Sequence, residues 1–266
     1  MRGNMSDYLD ILADSAKKSI AEGYYENCQE TYYRPSQSLR KAILGRVDIP
    51  IISEIKFSSP STDMLGPGHS DIAEIARQMR DGGATGISIL TEPRHFKGRI
   101  GYIAEVRRQT HIPILMKDIV LSPTQLDSAS RMGASAVLLI QALFDRGYCE
   151  RDVDFMIEHC HQRGLEVLLE AHTEEEYLSA TGSGADMIGI NNRDLRTLKV
   201  DLDTTRRILQ DHGADGGRVV VTESGVNRPE DIRSLKDYGV KAFLVGTSIM
   251  RAENIRDKVR ELVTLI

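Results

Sequence analysis

Between residues 51 and 245 the chain repeats one pattern: a short apolar, often β-branched run, then a longer stretch whose apolar positions recur at helical spacing. The runs fall at 51–57, 86–91, 114–117, 136–140, 166–170, 187–191, 219–223 and 242–245, and each reads as a strand. They are nearly continuous in hydrophobicity, the texture of parallel strands covered on both faces. The helical stretches end at Gly83-Ala84, Gly133-Ala134, Gly164-Leu165, Gly184-Ala185 and Gly239-Val240, each shortly before the next run. A glycine there can take the left-handed conformation that closes a helix. Spacings of roughly 20 to 35 residues from strand to strand suit βαβ units. Eight such units without a dinucleotide fingerprint predict a closed (β/α)₈, or TIM, barrel rather than an open sheet.

Residues 6–22 follow a helical period through Tyr8, Leu9, Ile11, Leu12, Ala16 and Ile20, with Ser6 as the expected N-cap. A second short helix is expected over 37–44, ended by Gly45. Between them runs a polar, aromatic link containing Tyr24, Tyr25, Tyr32, Tyr33 and Arg34-Pro35. Residues 1–48 therefore read as an N-terminal helical extension, with its helices expected at the mouth of the barrel. Residues 49–266 read as the barrel catalytic domain, the whole forming one domain.

In such a barrel the C-terminal strand ends open on one face, where catalytic groups gather. Strand 1 ends with Glu54, Lys56 and Ser59, strand 2 with Thr91-Glu92, and strand 3 with Lys117-Asp118. Strand 5 ends with Glu170 and His172, and strand 6 with Asn191-Asn192-Arg193-Asp194. Each has a structural alternative: Lys117 could pair with Asp118, and Glu170 and Glu223 could be satisfied by Arg193 or a lysine. As a set they are costly to desolvate unless they pair or serve a ligand. Ser224-Gly225 and Gly246-Thr247 follow strands 7 and 8, where barrels of this class often hold a phosphate, and Ser59 is their neighbour once the barrel closes.

Composition narrows the partners. The formal net charge of -5 argues against a broad nucleic-acid surface, so an anionic ligand must be caught locally. Runs such as 136–140 are too short to cross a bilayer, and the N-terminal residues lack the apolar core of a signal peptide, so a cytoplasmic address is expected. Cys28, Cys149 and Cys160 are an odd, widely spaced set and read as structural thiols. His159 and His161, two apart on a helix, point to different faces, and no metal site is expected.

Seven ordered motifs make the chain resemble the indole-3-glycerol-phosphate synthase family. They are Glu-Ile-Lys-x-x-Ser-Pro-Ser at 54–61, Leu-Thr-Glu at 90–92 with Phe96-x-Gly98, Ile-Leu-Met-Lys-Asp at 114–118, and Leu-Leu-Glu-Ala-His at 168–172. Gly-Ile-Asn-Asn-Arg-Asp-Leu at 189–195, Glu-Ser-Gly-Val at 223–226 and Val-Gly-Thr-Ser-Ile-Met-Arg at 245–251 complete the set. The resemblance implies a (β/α)₈ barrel working without metal or organic cofactor. It would convert 1-(o-carboxyphenylamino)-1-deoxyribulose 5-phosphate to indole-3-glycerol phosphate, carbon dioxide and water in tryptophan biosynthesis. It makes Lys117 the general acid and Glu170 the general base or stabiliser of the charged amine intermediate. Lys56 becomes the substrate carboxylate partner and a second acid, with Glu54, Asn191 and Glu223 orienting the reacting groups. Arg193, Phe96 and Pro60 are implied in substrate binding, and Ser59, Ser224, Gly225, Gly246 and Thr247 in phosphate binding.

The implied partner is a small phosphorylated substrate, with no nucleic acid or membrane, and the enzyme would be a monomer or weak homo-oligomer. Ring closure onto a ketone needs a proton donor at the carbonyl oxygen, and a lysine crowded by cations and partly desolvated would have its pKa lowered towards neutrality. Three positions depart from the family pattern: Thr62-Asp63 where lysine and glycine are common, Arg99 in place of serine, and Thr247 in place of serine. The alternatives are a related isomerase of phosphoribosyl compounds and a catalytically dead barrel kept as a partner subunit. The first leaves the N-terminal extension unexplained, and the second is expected to have lost Lys117 or Glu170.

Overall fold

The computed structural model describes residues 7–27, 37–58, 71–214 and 217–265. Eight parallel strands close in chain order, the first pairing with both the second and the last. They are β1 (Ile51–Ile55), β2 (Gly86–Leu90), β3 (Ile114–Lys117), β4 (Ala136–Ile140), β5 (Glu166–Ala171), β6 (Met187–Asn191), β7 (Val219–Glu223) and β8 (Ala242–Val245). Five have the bounds expected; β1 and β2 stop earlier, and β5 gains Ala171.

Two helices, α1 (Tyr8–Ala21) and α2 (Leu39–Leu44), precede the barrel. Around it run α3 (Ile72–Asp81), α4 (Tyr102–Arg107), α5 (Pro123–Met132), α6 (Gln141–Asp145) and α7 (Val153–Gln162). The second half adds α8 (Glu174–Thr181), α9 (Asp203–His212), α10 (Pro229–Lys236), α11 (Thr247–Met250) and α12 (Ile255–Thr264). Among the described residues no helix is long and apolar enough to cross a membrane.

Alternation along each strand builds two cores. Ile51, Ile55, Ile87, Ile89, Val137, Leu139, Val167 and Leu169 face the helices. Ile52, Leu115, Leu138, Leu168, Val221 and Leu244 fill the barrel interior. Both strand faces are buried, which is why the runs look continuous in the sequence.

Gly83, Gly133, Gly164 and Gly239 adopt the expected left-handed conformation, with φ of 101°, 88°, 71° and 100°. Gly184 is the exception. α8 closes earlier, at right-handed Gly182, because the Ser183 hydroxyl donates to Ala180 O and accepts from Ala185 N, so no left-handed residue is needed.

The N-terminal expectations need two corrections. The N-cap of α1 is Asp7, which shares a capping box with Asp10, whereas Ser6 lies outside the described residues. Only α1 sits at the barrel mouth. Its Asp10 accepts from Arg146 (2.8 Å) and Tyr148 (2.7 Å), and Arg94 donates to Ser19 (3.1 Å). α2 closes the opposite end: Leu39 and Ile43 join the interior cluster with the strand-start residues Ala136, Met187, Val219 and Ala242. Ser38 and the Arg40 amide bind Glu166, the first residue of β5. A short helix fits there because its apolar side chains meet the apolar strand starts while its N-terminal turn meets Glu166.

Burial pushes the thiols of Cys149 and Cys160 up to about 12, consistent with structural cysteines, and Cys28 lies outside the described residues. His159 pairs with Asp127 and His161 with Asp186, on different sides of α7.

Candidate active site

The inward alternation that buries Leu115, Leu168 and Val221 next brings Lys117, Glu170 and Glu223 to the C-terminal ends of β3, β5 and β7. An apolar barrel floor therefore carries a charged upper layer. Lys117 Nζ donates to Oε2 of Glu223 at 2.9 Å and to Oε2 of Glu170 at 3.1 Å. Asn191 Nδ2 holds the other Glu170 oxygen at 2.9 Å, and Asn191 Oδ1 accepts from the Arg193 amide at 2.9 Å. On β1, Lys56 pairs with Glu54 at 2.7 Å.

The structural alternative for Lys117 and one expectation about it both fail here. It does not pair with Asp118, because adjacent residues on a strand point to opposite faces. Asp118 instead accepts from Tyr25 (3.0 Å), from the Thr91 hydroxyl and from the Ile119 amide (2.7 Å). Nor is the ammonium surrounded by cations. Burial alone would lower its pKa, but the carboxylates of Glu170, Glu223 and Glu54 override that and raise it well above the usual lysine range.

One ammonium cannot neutralise every carboxylate near it. Burial, opposed by Lys117 and reinforced by Glu170, pushes the Glu223 carboxyl up to about 8. Lys117 thus keeps its charge, and Glu223 is the acid that holds a proton near neutral pH. For Glu54, burial acts upward, but the attraction of Lys56 and Lys117 wins and its pKa falls. Asp118, buried and near Glu92, is pushed up to about 7 despite its hydrogen bonds.

These groups line a cavity of about 550 Å³. All the predicted site residues that are described border it: Glu54, Lys56, Phe96, Lys117, Glu170, Asn191, Arg193, Glu223, Ser224, Gly225, Gly246 and Thr247. Ser59 and Pro60 lie outside the described residues. Tyr8 and Leu12 of α1 border the same space. Arg193 reaches none of the carboxylates closely; its guanidinium donates to Leu198 O at 2.9 Å and ties down the loop after β6.

The rim needs glycine in two places. A Cβ on Gly246 would lie 2.5 Å from Oε1 of Glu54, and one on Gly225 would lie 2.8 Å from Val200 Cγ1. Among the described residues no cluster of three or more His, Cys, Asp or Glu is arranged to hold a metal ion.

Three residues were not singled out from the sequence. Fully buried Glu92 accepts the amides of Arg94 (3.0 Å), His95 (2.6 Å) and Phe96 (3.0 Å), folding the loop that carries Phe96 to the cavity. Asp118 organises the end of β3, and Asn192 the end of β7. Each was visible as a polar residue at a strand end, but its partners are loop amides for Glu92 and groups far along the chain for Asp118 and Asn192.

An interior charged layer reached only from the strand C-termini, with an ammonium held between carboxylates, marks an acid–base enzyme of the (β/α)₈ barrel class. Solved structures agree on the fold: thiamine phosphate pyrophosphorylase from Pyrococcus furiosus superposes with a TM-score of 0.59 at 20% identity, covering 85% of this chain and 96% of that one. N-acetylmannosamine-6-phosphate 2-epimerase from Clostridium perfringens does so with a TM-score of 0.60 at 17% identity, covering 83% and 94%.

The family model for Indole-3-glycerol phosphate synthase matches residues 10–262. Curated relatives of that name include one from Methanocaldococcus jannaschii, 42% identical over 86% of this chain and 83% of its own. Another, from Acetivibrio thermocellus, is 39% identical over 95% of this chain and 94% of its own. The chain belongs to the indole-3-glycerol phosphate synthase family.

Proposed function

We propose that this cavity closes the indole ring of 1-(o-carboxyphenylamino)-1-deoxyribulose 5-phosphate, releasing carbon dioxide and water to give indole-3-glycerol phosphate. The observation that carries the residue assignment is the bridging position of Lys117 between Glu170 and Glu223 at the floor of a cavity of about 550 Å³. That volume suits a small organic substrate.

The ring carbon bearing the carboxylate attacks the ketone carbon, and Lys117 gives its proton to the carbonyl oxygen. Loss of carbon dioxide then restores the aromatic ring. The hydroxyl formed in the first step leaves as water after protonation by Lys56, the second acid, freed once carbon dioxide has left, while a carboxylate takes the proton released as the indole double bond forms. Glu170, held by Asn191, is the base and the counter-charge for the amine intermediate. The raised pKa keeps Lys117 loaded with its proton, and the incoming carbonyl oxygen must displace one of its two carboxylate partners to receive it. Lys56, with Glu54 as its resting partner, is assigned the substrate carboxylate. Phe96 and Arg193 frame the aromatic end, Arg193 by holding its loop.

Ser224, Gly225, Gly246 and Thr247 are assigned the phosphate, an anion that backbone donors can bind without a basic surface. The reading carries a cytoplasmic enzyme acting as a monomer or weak homo-oligomer, which sedimentation of the purified chain measures. The test of function is direct: the purified protein, without added metal, should convert the carboxyphenylamino substrate to a product with indole fluorescence. Absence of that product rejects the reading.

A further inference from the structure

The residue before Arg193, Asn192, touches nothing in the cavity, yet it is fully buried and ties together three elements around it. The two hydrogens of its Nδ2 are shared among three acceptors, Ser224 O at 3.0 Å, Glu223 O at 3.1 Å and Thr222 Oγ1 at 3.0 Å. Its Oδ1 accepts from the Thr205 amide at 3.1 Å and the Thr205 hydroxyl at 2.8 Å. The amide orientation is fixed by these partners. Turning it over would face its oxygen towards two carbonyls and its NH₂ towards the Thr205 N–H.

What this side chain holds is unusual. Ser224 has φ of 65° and Gly225 has φ of 89°, two successive left-handed residues that carry the chain from β7 to the cavity rim. Glycine accepts that conformation freely, whereas in serine the Cβ crowds the backbone. A bond to the carbonyl of Ser224 is the kind of external restraint such a residue needs. The same amide also does the work of an N-cap: Leu202, the N-cap residue of α9, makes no side-chain cap, and the Thr205 amide that Asn192 accepts lies in the first turn of that helix.

We propose that Asn192 is a positioning residue that holds Ser224 in its left-handed conformation and thereby sets the phosphate-binding turn. This rests on the phosphate assignment above. It predicts that the effect of losing Asn192 depends on what stands at 224, because glycine does not need the restraint.

The test is a double-mutant cycle of Asn192→Ala and Ser224→Gly, read by the Kd of inorganic phosphate from calorimetry and by KM and kcat for the carboxyphenylamino substrate. Asn192→Ala alone should raise the phosphate Kd and KM about tenfold, with a smaller change in kcat. In the Ser224→Gly background the same change should raise them less than about threefold. A residue that only stabilised the fold would show the same penalty in both backgrounds. That result, or failure of the wild-type chain to bind phosphate, would overturn the proposal. If Asn192→Ala does not fold, Asn192→Ser takes its place under the same criterion. A wild-type chain that binds phosphate but gives no indole product would reject the function instead, and the phosphate cycle would still decide the role of Asn192.

Discussion

Lys117 Nζ lies 2.9 Å from Oε2 of Glu223, while the other oxygen of that carboxylate, Oε1, has no hydrogen-bond partner among the described residues and rests against Gly189. The missing side chain at 189 is what lets the carboxylate lie in line with the ammonium: a Cβ there would collide with Oε1. A buried, half-satisfied carboxylate is costly, and sites that keep one do so where it serves chemistry.

Gly189→Ala should therefore push Glu223 off Lys117 without touching the substrate. A displacement of this size at a reacting centre costs up to about 100-fold. Steady-state kinetics should show kcat falling at least tenfold while the melting temperature drops only a few degrees. Unchanged kcat would mean that the Lys117–Glu223 contact does not matter to turnover.

The Asp118 carboxyl, pushed up to about 7, binds its proton more tightly in the folded chain than in the unfolded one, where the ordinary value is 3.8. Its contribution to stability is thus fully present below the unfolded value and is lost as pH rises towards 7. The slope is at most about 1.4 kcal/mol per pH unit. Denaturant melts of wild type and Asp118→Asn between pH 4 and 8 should differ in this way, the variant losing less stability as pH rises. Parallel curves would show that Asp118 does not titrate in that window.

The eight strands and the convergence of Glu54, Lys56, Lys117, Glu170, Asn191 and Glu223 were legible because both depend on period-two alternation along short runs. The seat of α2 was not. Leu39 and Ile43 have the apolar spacing of any short helix, and only the closed barrel shows that the hole they fill is at the strand starts. The pKa of Lys117 went the other way from expectation because its sign depends on which charges lie within hydrogen-bond reach. Neighbours in sequence, such as Asp118, pointed away, while Glu170 and Glu223 came from strands far along the chain. The roles of Glu92 and Asn192 were hidden for a related reason: Glu92 binds amides of a loop that has no sequence signature, and the partners of Asn192 lie on β7, its following turn and α9.

The opposite seats of α1 and α2 separate stability from binding. Leu39→Ala empties space at the sealed end of the barrel and should cost about 2–5 kcal/mol of stability with little change in KM. Tyr8→Ala, on the cavity wall, should raise KM while leaving the melting temperature within a few degrees. Denaturant melts and kinetics on the two variants check this. A large KM effect from Leu39→Ala would contradict the assignment of α2 to the far end.

Gly246 tests how tightly the phosphate rim and the Glu54–Lys56 pair are joined. Its absent Cβ would lie 2.5 Å from Glu54 Oε1 and 3.1 Å from Lys56 Cε, so Gly246→Ala must move the ion pair as well as the rim. Both KM and kcat should suffer, in contrast to a change confined to phosphate capture. A rise in KM with kcat untouched would show that the pair shifts without consequence.

Turnover by Lys117→Ala bears on the central claim most directly. Removing the ammonium leaves Glu170 and Glu223 facing each other, and the raised pKa of Glu223 lets the pair keep one proton, so the variant should fold near pH 6 despite losing about 3–5 kcal/mol. With the fold verified by circular dichroism, indole formation from the carboxyphenylamino substrate should drop by about 10²- to 10⁴-fold, the worth of a positioned general acid. Wild-type turnover in the folded variant would contradict the assignment of Lys117 as the proton donor.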